Sequence, residues 1–106
     1  MAKYLISGSY TLEGLRGLIK EGGTARRAQV ESTIKGLGGK LECYYFAFGG
    51  NDTFAIMDFP DNISCAAVTL TVNSAGGFKG TTTVLLTPEE MDQATKKKVL
   101  YRGPGK

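Results

Sequence analysis

The side chains here that can move a proton or hold an anion are carboxylates, tyrosines, lysines and arginines, because the sequence has no histidine. That absence removes Ser-His and Cys-His nucleophile arrangements and histidine metal sites together. Asp52 and Asp58 flank the second of two aromatic-rich runs, and Asp58 falls on one alternating face with Phe54 and Ile56. A carboxylate beside aromatics is a candidate general acid or base, since desolvation raises its pKa. The commoner role of such residues is structural, with Asp52 bonding the backbone of its own turn and Asp58 at a wet strand end. Tyr4, Tyr10, Tyr44, Phe46 and Phe48 form an aromatic set that suits either a cavity for a hydrophobic or aromatic ligand between sheets or an interface.

A second candidate is EGGTARR, Glu21 to Arg27. Two glycines ahead of a helix free backbone N–H groups, and Lys20, Arg26 and Arg27 stand close by, which suits a carboxylate or phosphate. The stretch lacks the GxxxxGK[ST] phosphate signature, so a glycine hinge with interface ion pairs is the competing reading. Lys96, Lys97 and Lys98 fall at the end of a helix, where positive charge is favoured. Cys43 and Cys65 lie far apart without a CxxC pattern and read as free thiols, so neither a metal nor another cofactor is expected.

The elements that must position these groups follow from periodicity. The run YYFAFGGNDTFAIMDF, Tyr44 to Phe59, reads as a β-hairpin around Gly49, Gly50, Asn51 and Asp52. Its strands are expected over Leu41 to Phe48 and Thr53 to Phe59. Ahead of it, Lys3 to Tyr10 alternates as a strand, and Thr11 caps a helix with the stripe Leu12, Leu15, Leu18 and Ile19. Gly22 and Gly23 interrupt that helix, and Thr24 is placed to cap a second segment carrying Val30, Ile34 and Leu37. After Pro60, Asp61 caps a helix from about Ile63 to Ser74, closed by Gly76 and Gly77. Thr81 to Thr87 is a β-branched strand, and Thr87, Pro88, Glu89 and Glu90 start a last helix that ends near Lys98. The order predicts an α+β, ferredoxin-like βαββαβ fold with an antiparallel four-stranded sheet and an extra C-terminal helix.

Two faces then need cover. Alternation along Leu41 to Phe48 sets Leu41, Cys43, Tyr45 and Ala47 against Glu42, Tyr44, Phe46 and Phe48, and both sets are apolar. Helices in such a fold cover one face of the sheet only. From Asn62 to Phe78 there is also no charged residue, unusual for a helix with a wet side. A partner subunit packing sheet against sheet is the economical cover, and the alternative is that the extra helix and the tail from residue 98 fold over the sheet.

With 106 residues the chain is read as a single domain, 1–106. Thirteen basic and ten acidic residues leave a charge of +3, too small to imply a nucleic-acid or membrane partner. The RNP1 pattern of RNA-binding sheets is absent. No apolar run approaches the roughly 20 residues needed to span a bilayer, and MAKYLISGSY lacks the apolar region of a signal peptide, so a cytoplasmic location is expected.

Across EGGTARR, LGGKLE (37–42), YYFAFGGND (44–52), PDN (60–62) and YRGPG (101–105), the chain resembles GYD domain proteins. Gly50, Asn51 and Asp52 stand where that family has Gly-Tyr-Asp. The resemblance, with the dimeric α/β-barrel superfamily to which that family is assigned, implies a ferredoxin-like subunit pairing through its sheets, and no settled activity. It favours an uncharacterised homo-oligomeric domain that takes a small organic ligand. Its alternative is a cofactor-independent monooxygenase or isomerase acting on an aromatic or quinone-like molecule, in which Asp58 or Asp52 moves protons and Tyr10 or Tyr44 orients substrate.

Overall fold

The computed structural model describes residues 1–106. Its elements are β1 (Ala2–Tyr10), α1 (Leu12–Glu21), α2 (Gly23–Lys35), β2 (Lys40–Phe46), β3 (Thr53–Phe59), α3 (Asn62–Ser74), β4 (Phe78–Leu85) and α4 (Pro88–Thr95). The four strands form one antiparallel sheet in the order β2-β3-β1-β4, the ferredoxin-like arrangement expected from the sequence. No helix is long and apolar enough to cross a membrane.

Helix ends follow side-chain chemistry. The Thr11 hydroxyl accepts the Gly14 N–H at 3.1 Å, and the Asp61 carboxylate accepts that of Ser64 at 2.7 Å. Thr87 and Glu90 complete a reciprocal capping box ahead of α4. Between α1 and α2 the chain turns at Gly22, whose φ of 88° is open to glycine and costly for other residues. Gly22 itself precedes α2, so Thr24 lies within the helix and caps nothing, contrary to expectation. β2 stops at Phe46 and leaves Ala47 and Phe48 in the connection, while β4 begins earlier than expected, at Phe78. α4 ends at Thr95, so Lys96 caps it and Lys97 and Lys98 lie beyond.

A β-bulge changes the reading of β2. Leu41 pairs with Met57 but Cys43 pairs with Ile56, leaving Glu42 as the extra residue. Strict alternation groups Leu41 with Cys43 and Tyr45; the bulge puts it instead on the face of Tyr44 and Phe46. That inner face receives the helices. Tyr4, Leu41, Ala55, Met57 and Phe59 pack there against Ile34 of α2 and Cys65 of α3 in the buried core. Burial pushes the Cys65 thiol pKa up and keeps it protonated.

The opposite, outer face carries Leu5 beside Ile56, Ser7 beside Phe54 and Lys3 beside Asp58. Here Lys3 Nζ bonds Glu42 at 2.7 Å and Asp58 at 2.9 Å. The C-terminal arm does not cover this face. From Pro88 to Lys106 every residue but Gly103 is exposed, including Met91, Val99, Leu100 and Tyr101. The radius of gyration is 17.0 Å, against about 13 Å for a compact chain of this length. The arm therefore projects from the body. The stripe expected to bury α1 is also open, with Leu12, Leu15 and Ile19 exposed, because α1 meets the rest of the chain sparsely, chiefly at β1 and α2.

The cap of α3 makes stability pH-dependent. Hydrogen bonds from Ser64 hold the Asp61 carboxyl below its ordinary range. A depressed folded pKa contributes stability that is present above the unfolded value and lost as pH falls through the folded one. The urea midpoint of the native protein is expected to decline below about pH 4 more steeply than that of an Asp61→Asn variant. Parallel declines would show that the cap carboxylate is not stabilised by folding.

Candidate functional site

α2 packs chiefly on β2 and α3 chiefly on β4, which leaves a cleft over the middle of the sheet. The cleft has a volume of about 160 Å³. Arg26, Val30, Thr33 and Ile34 line it from α2 at the spacing of one helix face, and Val68, Thr69, Val72 and Asn73 do so from α3. Ala55 and Met57 of β3, Ile6 of β1 and Tyr44 of β2 supply the floor. Phe78, Gly80 and Thr82 of β4 extend it toward the sheet edge.

Two glycines shape that edge. Gly8 and Gly80 face each other across β1 and β4, and the Phe78 ring lies over both. A Cβ on Gly80 would stand 2.5 Å from Phe78 Cε2, and one on Gly8 2.7 Å from Phe78 Cζ. Without side chains there, the ring lies over the two strands and meets the Tyr10 ring in an edge-to-face arrangement, centroid to centroid 5.2 Å.

The hairpin end of the cleft is polar. The Tyr10 and Tyr44 hydroxyls lie 3.1 Å apart, within hydrogen-bond distance, and Tyr44 meets Phe46 edge to face. Burial and the bond to Tyr44 raise the Tyr10 pKa, so its phenol stays protonated through the physiological range. Arg26 stands at the same end, and its Nε is buried without a hydrogen-bond acceptor. Its nearest counter-charge is Glu21 Oε2, at 3.7 Å. The Asn73 side-chain oxygen accepts the Gly80 N–H at 3.0 Å, which turns the amide nitrogen away from that bond. Apolar groups otherwise dominate the lining, and Arg26 is its one charged member.

The structure brings Tyr10, Tyr44 and Arg26 together and separates the other sequence candidates. The aromatic set does not lie between sheets, because the alternation of β1 and the bulge in β2 turn Tyr4, Tyr10, Tyr44 and Phe46 toward the helices. Tyr4 is buried in the core, where its hydroxyl donates to the Asn62 side-chain oxygen. Phe46 packs over Gly23, whose Cβ would meet the ring at 3.0 Å. Phe48 is fully exposed in the hairpin connection, and Arg27 points away from the cleft into solvent.

Neither carboxylate reaches the cleft. Asp52 accepts the Tyr10 backbone N–H on its carboxylate at 2.9 Å, its own N–H donates to the Gly8 carbonyl at 2.8 Å and its carbonyl accepts the Ala47 N–H at 2.8 Å, so it closes the hairpin turn and ties that loop to β1. Asp58 sits on the outer face with Lys3. Residues missed by sequence reasoning come mainly from α3: Val68, Thr69, Val72 and Asn73. Their signal was the uncharged run from Asn62 to Phe78, part of which faces the cleft.

No characterised protein and no solved structure matches the chain. The family model of the GYD domain matches residues 4–95, from β1 through the end of α4. The chain belongs to the GYD domain family.

Proposed function

We propose that this chain is a self-associating domain that binds a small, mostly apolar organic molecule, about one aromatic ring in size, in the cleft between α2, α3 and the sheet. The observation that carries the reading is the cleft itself. Its volume of about 160 Å³ is close to the roughly 150 Å³ of an apolar protein cavity that takes up benzene. A few polar groups at one end of an apolar pocket are the usual means of fixing a ligand's orientation. The monooxygenase or isomerase reading asks for a proton acceptor beside the ligand. The lining has no carboxylate, and Asp52 and Asp58 are engaged elsewhere, so binding is the activity this geometry supports.

Self-association rests on separate observations. Leu5, Phe54, Ile56 and Tyr45 lie on an outer sheet face that no helix of the chain covers, and the projecting arm exposes Val99, Leu100 and Tyr101. Exposed apolar surface of this kind favours an interface, and a second copy of the chain is the occupant proposed.

Both parts are tested together. Light scattering is expected to give a multiple of 11.3 kDa, and toluene is expected to raise the thermal midpoint at fixed protein concentration by mass action. A mass of 11.3 kDa at every concentration would remove the assembly. No rise in midpoint with toluene, phenol or indole would remove the ligand.

A further inference from the structure

Polar groups at the hairpin end of the cleft are unbalanced in one direction. The Arg26 Nε–H is a buried donor with no acceptor. Of the two tyrosine hydroxyl protons, the mutual bond uses one, and the other is left to point elsewhere. Asn73 has committed its oxygen to Gly80, which leaves its amide hydrogens. The hydroxyls of Thr33, Thr53 and Thr69 donate instead to the backbone carbonyls of Gln29, Tyr45 and Cys65. Spare donors therefore gather at one end, and no carboxylate lines the cleft to receive them.

Leaving a buried donor unpaired is costly, and the cost is larger for a charged group. Glu21 does not satisfy Arg26: at 3.7 Å it is beyond hydrogen-bond range, and side chains 33% and 34% exposed form a screened, weak pair. An acceptor arriving with a ligand would complete the site. From this we infer that the ligand of the cleft is a monoanion, an apolar ring or branched chain bearing one carboxylate or similar oxyanion. Its head accepts from Arg26 Nε and a tyrosine hydroxyl, and its body lies against Val30, Ile34, Ala55 and Val68. Charge-assisted bonds of this type are the stronger class, and a guanidinium suits a planar carboxylate.

The inference rests on the cleft being a ligand site, and the test separates the two. Benzoate, its neutral counterpart benzamide, and toluene are titrated against the native protein and an Arg26→Gln variant, with binding read from methyl chemical shifts of Val30 and Val68. Benzoate is expected to bind the native protein on the order of tenfold to a hundredfold more tightly than benzamide. Arg26→Gln is expected to erase that preference, so that benzoate and benzamide bind the variant alike. Equal affinity for benzoate and benzamide, or a benzoate preference that survives Arg26→Gln, would overturn the monoanion while toluene binding kept the cleft as a ligand site. If none of the three compounds shifted the cleft methyls, the ligand reading would fall and this inference with it.

Discussion

Replacing Phe59 with alanine is expected to lower the stability of the fold by about 3–5 kcal/mol, the usual cost of removing a buried aromatic ring. Phe59 closes the inner face at the end of β3 with none of its surface exposed. Its ring meets that of Tyr4 at 5.8 Å, edge to face, and lies where a Cβ on Gly39 would come within 3.0 Å of Phe59 Cδ1. Neighbours held on both sides by backbone have little freedom to collapse into the space left behind, so the cavity term persists. The core has only seven buried hydrophobic residues, and small domains hold about 5–15 kcal/mol in total. Removing one of the largest should therefore consume a large share of the margin. Urea titrations followed by circular dichroism, at matched protein concentration because assembly contributes to apparent stability, measure the loss. A change below about 1 kcal/mol would mean that this ring is not held in a close-packed core.

Filling the cleft should weaken binding without that penalty. Val72 projects from α3 at the rim of the cleft and is 37% exposed. A phenylalanine there can place its ring in open space, so Val72→Phe avoids the overpacking that enlargement of a filled core brings. It competes directly with a single-ring ligand. Burying such a ring is worth about 1.5–3 kcal/mol, which corresponds to a loss of about tenfold to a hundredfold in affinity. Toluene affinity is expected to fall by that factor while the urea midpoint holds or rises. An unchanged toluene affinity would place the ligand elsewhere.

The sequence carried the fold well because its signals were local. Thr11, Asp61 and the Thr87–Glu90 box cap helices as their residue types dictate, and β3 alternates strictly, with Ala55, Met57 and Phe59 inside and Phe54 and Ile56 outside. The site was less legible. Both faces of the hairpin strands are apolar, so composition does not say which one receives the helices, and the aromatic set suits either side. The bulge at Glu42 reverses the face of Leu41 relative to the rest of β2, and no residue there announces it. Arg26 was visible as a cation beside the glycines of EGGTARR. Its role depends on one turn of α2 facing the cleft, a consequence of the Gly22 break and of packing against β2. The exposed stripe of α1 and the projecting arm show the remaining limit: apolar periodicity marks a surface that asks for cover without naming what covers it.

Methyl chemical shifts during a toluene titration, in the native protein and in Val72→Phe, test the central claim most directly. Shifts confined to Val30, Ile34, Ala55 and Val68, moved in the variant to toluene concentrations at least about tenfold higher, are the predicted result. Shifts at Leu5 and Ile56 on the outer face instead, or the same inner-face shifts at the same concentrations in both proteins, would contradict a ligand site between the helices and the sheet.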